Sequence, residues 1–284
     1  MERISFLNGK FLPHDQAFIH IDDRATQFGD GVYEVILFHN NRLIDFDEHL
    51  QRLFRSLAAI ELKFDRTQEK LKQEFKEIFL KLFQENNLPN GYVYLQITRG
   101  VAARTQIFPT NCTPTIIATV APNKIIAQKD LDDGLFAVTS ADIRWGRCDI
   151  KSTALLANIL VKQKANEIGA AEVILIRDDY VTEGSFSNIF IVDKNNILLT
   201  HHLDNNILGG VTRARVIALA NGNNIKIVEK KFSKQELFAA REAFATSSTL
   251  LIRPISKIDQ QIIGDGKAGV ITKKLIKLYN DYLA

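Results

Sequence analysis

Arg144–Ser152, RWGRCDIKS, decides the fold when it is read together with two stretches further along the chain. These are Val181–Phe190, VTEGSFSNIF, and Gly209–Arg213, GGVTR. The first contains a lysine, the second a glutamate followed by glycine, and the third a glycine pair before a threonine. Taken singly, each has an ordinary structural explanation: a surface lysine at a strand end, a solvated turn, and a helix N-cap. The information therefore lies in their order and separation.

The three stretches occur in this order and at these separations in the fold-type IV transaminases that use pyridoxal phosphate (PLP), and the chain resembles that family. Within this family, the residues of the three stretches are most similar to those of the D-amino-acid transaminases. The resemblance extends from DDRATQFGDGVYEV at Asp22–Val35 to ATSSTLLIRP at Ala245–Pro254. It implies an α/β fold with a smaller N-terminal α/β domain and a larger, mixed C-terminal domain that binds PLP.

The resemblance gives three residues roles in the chemistry. Lys151 would form the Schiff base with PLP and then, once released, carry a proton between the substrate carbon and the cofactor. Burial near other cations lowers the pKa of an amine, which suits that role at neutral pH. Glu183 would pair with the pyridine nitrogen and keep it protonated, so that PLP acts as an electron sink. Tyr33 would position cofactor and substrate.

The resemblance also implies a phosphate site built from three segments. Arg52, in FDEHLQRL, matches the phosphate arginine of the family, and its planar fork suits a bidentate hold. Val211 and Thr212 begin a predicted helix, whose free N–H groups and dipole favour an anion. Ser247 and Ser248 match a second, hydroxyl-bearing phosphate loop. Singly these signals are weak, but together they describe one anion site.

Substrate recognition is where the chain departs from the D-amino-acid transaminases. That group has an Arg-x-His pair, donated by the neighbouring subunit of a homodimer, that captures the substrate α-carboxylate. The corresponding residues here are Arg104, Thr105 and Gln106. Glutamine donates a hydrogen bond but carries no positive charge. A weaker or differently shared carboxylate clamp is therefore expected, with Arg24 and Arg177 as further candidates.

The cofactor residues alone leave the reaction open. Aminodeoxychorismate lyases, branched-chain L-amino-acid transaminases and R-selective amine transaminases share the fold and the lysine–glutamate pair. The GDGVYEV block, the RWGRCDIKS wording and the retained Arg104 favour D-amino-acid transamination. We expect amino-group exchange between D-amino acids, such as D-alanine or D-glutamate, and 2-oxoacids, such as 2-oxoglutarate or pyruvate. A lyase or another class IV transaminase is the alternative.

Composition excludes several other classes of protein. The 284 residues are 46% hydrophobic and 24% charged, which is ordinary for a globular enzyme. The net charge of +3 is spread along the chain and predicts no nucleic-acid partner. Cys112 and Cys148 are too few for a disulfide framework or a zinc site, so no metal is expected. No stretch resembles a signal peptide or a membrane span, which predicts a cytoplasmic enzyme.

Hydrophobic periodicity predicts alternating strands and helices in two domains, 1–120 and 134–284. The polar stretch APNKIIAQKDLDD, residues 121–133, is the predicted linker. Alternation at Ala17–Ile21 indicates a short strand, and Gly222 is a predicted left-handed helix C-cap. The other predicted strands are 32–38, 92–98, 115–120, 135–139, 171–176, 188–192 and 197–200; the predicted helices begin near 45 and span about 69–85, 154–168, 212–220, 234–241 and 267–282.

Overall fold

The computed structural model describes residues 3–123 and 126–284. They form two compact units. The N-terminal unit contains residues 3–123 and Ile150–Ala154, and the C-terminal unit contains residues 126–149 and Leu155–Ala284. Lys151 thus packs with the N-terminal unit, although it lies inside the predicted second domain. Residues 124 and 125 of the predicted linker lie outside the described residues, and Gln128–Asp133 in that linker are helical.

The N-terminal unit is built on one six-stranded antiparallel sheet in the order β2-β1-β6-β5-β3-β4. Along β5 buried and half-buried residues alternate, as expected of a strand with one face on a core. The elements are β1 (Ile4–Leu7), β2 (Lys10–Pro13), a 3₁₀ turn (His14–Gln16), α1 (Arg24–Phe28), β3 (Gly31–His39), β4 (Arg42–Leu43), α2 (Phe46–Ala59), α3 (Gln68–Glu85), β5 (Gly91–Thr98) and β6 (Thr115–Ala121).

The core of this unit forms where the apolar stripes of α2 and α3 pack with the sheet. The stripe of α2 consists of Leu50, Leu53 and Leu57, all buried, and Phe75 and Phe79 of α3 are fully buried with stacked rings. Both stripes follow the helical spacing read from the sequence. The predicted strand at Ala17–Ile21 is wrong. Its residues form no strand and Phe18 and Ile21 are exposed, so its alternation has no sheet to pack on.

The C-terminal unit contains a nine-stranded mixed sheet in the order β12-β11-β10-β13-β14-β7-β8-β9, with β15 beside β14. Three of its strand pairs are parallel: β11 with β12, β14 with β7, and β7 with β8. The elements are α4 (Gln128–Asp133), β7 (Leu135–Ala141), α5 (Leu156–Glu167), β8 (Glu172–Arg177), β9 (Tyr180–Gly184), β10 (Asn188–Val192), β11 (Leu198–Thr200), α6 (Val211–Gly222), β12 (Ile227–Glu229), α7 (Lys234–Phe238), β13 (Glu242–Ser247), β14 (Leu251–Ile258), β15 (Gln261–Ile262) and α8 (Val270–Leu283).

Two turns in this sheet lie next to residues of the predicted site. A tight turn over residues 185–187 joins β9 to β10, and the Gly184 N–H donates to the Ser187 carbonyl at 2.6 Å. The turn between β13 and β14 carries Ser248. The predicted C-cap at Gly222 is wrong, because Gly222 is the last residue of α6 and Asn224 takes the left-handed conformation instead. Among the described residues, no helix has both the length and the apolar character needed to cross a bilayer.

Candidate active site

Lys151 is held against β3 by its own backbone. Its carbonyl accepts a hydrogen bond from the Tyr33 N–H at 3.0 Å, and its N–H donates to Ser56 Oγ on α2 at 3.2 Å. Ser152 forms an isolated bridge with Val32. The Lys151 ammonium lies 4.1 Å from the centre of the Tyr33 ring. A cation over a ring face is attracted by the quadrupole, so Tyr33 orients the amine.

Glu34, the residue after Tyr33 on β3, is the centre of a buried charged cluster. Arg52 donates to both oxygens of the Glu34 carboxylate at 2.7 Å, and His49 Nδ1 donates to Oε2 at 2.8 Å. Burial alone would raise the pKa of Glu34, but Arg52 and then His49 outweigh it and hold the pKa below its usual range. Burial also lowers the pKa of His49, so its imidazole is neutral at pH 7. Glu34 therefore fixes the direction of the Arg52 fork.

The predicted substrate loop also belongs to the N-terminal unit. Arg104 and Gln106 are exposed, and the Arg104 guanidinium lies 5.3 Å from the centre of the Phe28 ring. Arg24 is only 3% exposed. Its Nε donates to Asp30 at 2.7 Å and its Nη1 to the Thr105 carbonyl at 2.8 Å. Arg24 is thus engaged within the protein.

In the C-terminal unit, Glu183 ends β9 as a buried carboxylate, 6% exposed. It accepts hydrogen bonds from Asn188 Nδ2 at 3.0 Å, from the Leu208 N–H at 2.9 Å, and from Arg144 Nη1. Burial raises the pKa of Glu183, and the Arg144 guanidinium opposes that rise. Three donors leave a carboxylate with capacity for about one more.

Arg144 is itself fixed by a second carboxylate. Its Nε and Nη2 each donate to Asp142 at 2.9 Å, and its Nη2 also donates to the Asn206 carbonyl at 3.1 Å. Arg177 joins the same network, 3.1 Å from Asp142 and 2.8 Å from Asn206 Oδ1. Its guanidinium is therefore occupied, although it was a candidate for the substrate. The nearby thiol of Cys148 is buried, which raises its pKa to about 11 and keeps it protonated.

The predicted phosphate residues of this unit lie at the start of α6, at the end of β13 and in the turn after β13. Gly210 is the N-cap and no side chain caps the helix. A Cβ on Gly210 would lie 2.0 Å from Asn188 Oδ1, so any larger residue here would have to displace the Asn188 amide. Thr212 is buried in the first turn, Ser247 ends β13 and Ser248 is half-buried in the turn after it. An uncapped helix start that carries the Thr212 hydroxyl in its first turn suits an anion.

Sequence reasoning missed Glu34, His49, Arg144 and also Thr246. Thr246 pairs with Asn188 across β13 and β10, is 1% exposed, and its Oγ1 has no hydrogen-bond partner among the described residues. Buried hydroxyls are normally satisfied, so this one has capacity for a bound group. The signal for Glu34 was a glutamate inside an otherwise apolar strand.

Comparison with known proteins gives the same family as these features. A family model described as class IV amino-transferases matches residues 31–258, more than half of the chain. The D-alanine aminotransferase of Bacillus licheniformis is 41% identical over 268 residues, 94% of this chain and 93% of that protein. This chain belongs to the class IV aminotransferases. The D-alanine aminotransferase of Staphylococcus epidermidis is 38% identical over 278 residues, 98% of this chain and 97% of that protein.

Solved structures of class IV aminotransferases confirm the fold. The crystal structure of the Escherichia coli branched-chain amino acid aminotransferase superposes with a TM-score of 0.91 and 23% identity, covering 100% of this chain and 95% of that one. At 23% identity, this superposition shows that the two chains share a fold and nothing more. The predicted fold class, two-domain fold-type IV α/β, is thereby confirmed.

Class IV aminotransferases use pyridoxal phosphate, and the residues of this one fit that cofactor. The N-terminal unit supplies an amine, Lys151, beside an aromatic ring. The C-terminal unit supplies a buried carboxylate with spare acceptor capacity, an uncapped helix start and the unpartnered hydroxyl of Thr246. Within its own unit, each group has the chemistry for one part of the cofactor: the amine for the aldehyde, the carboxylate for the protonated ring nitrogen, and the helix start for the phosphate. Among the described residues, no group of His, Cys, Asp or Glu side chains is placed to hold a metal ion.

Proposed function

We propose that this class IV aminotransferase is a D-amino-acid transaminase that exchanges an amino group between D-amino acids and 2-oxoacids. Two D-alanine aminotransferases that it resembles along more than nine tenths of its length support this substrate class. The observation that carries the chemistry is the Glu183 carboxylate. It is buried, oriented by Arg144, Asn188 and Leu208, and has room for about one further donor.

The PLP cofactor would supply an electron sink for the bond that breaks at the substrate carbon. We assign the covalent attachment and the proton transfer to Lys151, which Tyr33 orients. Glu183 would hold the ring nitrogen of the bound cofactor protonated through a charge-assisted hydrogen bond. The phosphate ligands in this proposal are Arg52, Val211, Thr212, Ser247 and Ser248.

In this proposal, Arg104 binds the α-carboxylate of the substrate and Gln106 donates a further hydrogen bond to it. Because Gln106 is neutral, its hydrogen bond to a carboxylate contributes less than that of a charged side chain, about 1 against 1.5–3 kcal/mol. Arg24, another candidate, already donates to Asp30, and Arg177 is ion-paired with Asp142 and donates to Asn206. The substrate carboxylate therefore depends mainly on Arg104.

The alternatives are tested by adding D-alanine or L-alanine to the purified enzyme loaded with PLP. A D-amino-acid transaminase converts its cofactor to the amine form with D-alanine, so the visible absorption of bound PLP falls, and 2-oxoglutarate restores it. L-Alanine, the matched control, leaves the spectrum unchanged. A response to branched-chain L-amino acids alone, or to neither enantiomer, would contradict the proposal and favour another class IV activity.

The proposal includes a homodimer in which each subunit completes the active site of the other, and a cytoplasmic location. Support for a subunit interface comes from large apolar side chains that the single chain leaves exposed. In the N-terminal unit these include Phe18, Ile21, Ile107 and Phe108, and in the C-terminal unit Leu156, Ile159 and Leu160 of α5. Exposed large apolar side chains that form a contiguous patch are typical of interaction sites.

Complementation between two variants, Lys151→Ala without turnover and Arg104→Ala with strongly weakened D-alanine binding, tests the shared site. Lys151→Ala subunits lack the amine and Arg104→Ala subunits lack the carboxylate ligand. In a mixed dimer with crossed loops, one of the two sites has both residues intact. Random exchange of equal amounts should therefore restore about a quarter of wild-type activity, since about half of the dimers are mixed. Each variant incubated alone is the control. No recovery after proven subunit exchange would rule out a site shared in this way.

A further inference from the structure

Asp30 joins two buried arginines in the N-terminal unit. Its Oδ2 accepts from Arg24 Nε at 2.7 Å and from Arg99 Nε at 2.8 Å. All three side chains are less than one tenth exposed. Arg99 is anchored further, because its Nη2 donates to the carbonyl of Ile60 at the end of α2 at 2.6 Å. The cluster is thus fixed to the scaffold of the unit.

Both arginines reach residues 101–109, here called the carboxylate loop because it contains Arg104. Arg24 Nη1 donates to the Thr105 carbonyl at 2.8 Å, and the Arg99 guanidinium lies 3.7 Å from the centre of the Phe108 ring. In the part of the chain that the structure describes, residues 103–109 make no backbone–backbone hydrogen bond. The conformation of the loop therefore depends on these two side chains more than on its own backbone.

Phe28, at the end of α1, links Arg24 directly to Arg104. The Arg24 guanidinium lies 4.6 Å and the Arg104 guanidinium 5.3 Å from the centre of its ring. Each cation is attracted to the ring face. Arg24 thus acts on Arg104 by two routes, through the neighbouring Thr105 carbonyl and through the shared ring.

We propose that Arg24 is a positioning residue that sets the carboxylate loop, and with it Arg104, in the geometry that receives a substrate carboxylate. The inference deepens the proposed function and rests on the assignment of Arg104 to that carboxylate. Asp30 keeps the Arg24 fork in place, and Arg99 and Ile60 keep Asp30 in place. Arg24 itself does not contact the substrate, because it is buried and already donates to Asp30 and Thr105.

Limited proteolysis with trypsin, which cleaves after Arg104, tests the loop without any substrate. Arg24→Met removes both hydrogen bonds of the guanidinium while keeping an unbranched apolar stem over Phe28. We expect cleavage after Arg104, followed by mass spectrometry, to become roughly tenfold faster, the effect of losing a hydrogen bond to a charged group, with cleavage at sites in the C-terminal unit unchanged. Arg66→Met, which breaks an exposed ion pair with Glu74 in the same unit, is the control. An unchanged rate of cleavage after Arg104 in Arg24→Met would overturn the proposal.

Kinetics of a double-mutant cycle then separate positioning from direct contact. Arg24→Met should raise KM for D-alanine roughly tenfold and leave kcat within about twofold, as expected for lost uniform binding. In an Arg104→Ala background, Arg24→Met should raise KM no further. A full additional effect in that background would mean that Arg24 binds the substrate itself, and would overturn the proposal.

A conservative variant protects both tests against general destabilisation. Arg24→Lys keeps the buried charge beside Asp30 but cannot reach Asp30 and the Thr105 carbonyl together, so it should lie between wild type and Arg24→Met in both measurements. Cleavage is measured on the protein whether or not it uses D-alanine. If D-alanine were not a substrate at all, the proposed function would fall, while the cleavage comparison would still decide whether Arg24 orders the loop.

Discussion

Lys151→Ala should abolish transamination while the protein stays folded. The variant has no amine to hold the cofactor aldehyde or to carry a proton at the substrate carbon. Losing a proton-transfer group alone costs about 10²–10⁴-fold in rate, and the lost covalent attachment adds to this. The fold should survive, because Lys151 is tied to Tyr33 and Ser56 by backbone atoms that alanine retains. Turnover of D-alanine with 2-oxoglutarate and the melting temperature check the two halves of this prediction.

Lys81→Ala is the matched control for that experiment. Its ammonium also lies over an aromatic ring in the N-terminal unit, 4.3 Å from the centre of the Phe11 ring, and Lys81 lies on α3, outside the stretches that resemble the cofactor motifs of the family. Its turnover should equal that of wild type. Should Lys151→Ala keep near wild-type turnover without added amines, the assignment of Lys151 would be wrong. Partial rescue by a small primary amine would instead support its role in proton transfer.

Periodic patterns predicted most of the elements because burial follows local spacing. The apolar stripe of α3 and the alternation in β5 and β6 are each carried by one continuous segment, and β10 was predicted with its observed bounds. Ala17–Ile21 has the same alternation but pairs with no neighbouring strand, and local spacing does not report whether a partner exists. Hydrophobic periodicity therefore predicted where strands and helices lie along the chain better than it predicted which strands pair.

For the candidate site too, single residues were predicted better than their partners. The resemblance pointed to Arg52 and Glu183, but not to the residues that hydrogen-bond them, because those partners come from elsewhere in the chain. Glu34 precedes Arg52 by 18 residues, and Arg144 precedes Glu183 by 39. The role of Arg24 was also open, because an arginine in a short helix can face substrate or protein. Only the bonds to Asp30 and Thr105 decide between the two.

Glu183→Gln should lower kcat for D-alanine by about 10- to 100-fold, since a hydrogen bond to a charged group contributes roughly 1.5–3 kcal/mol. Glutamine is nearly isosteric, so Asn188 and the Leu208 N–H keep an acceptor and the turn after β9 should persist. What the variant loses is the negative charge that keeps the ring nitrogen of the cofactor protonated. The pH at which bound PLP changes its visible spectrum should therefore shift relative to wild type.

Arg144 should remain paired in the Glu183→Gln variant. In wild type its guanidinium is shared between Asp142 and Glu183, so Glu183→Gln leaves it paired with Asp142 and not stranded in the interior. A rate loss with little loss of stability would then report the charge on Glu183. Glu183→Asp, which keeps the charge but shortens the side chain, should be intermediate, and Glu167→Gln at an exposed position of α5 should match wild type. Wild-type kcat in Glu183→Gln would mean that the ring nitrogen is held by another group, and the buried carboxylate would then serve only to anchor Arg144.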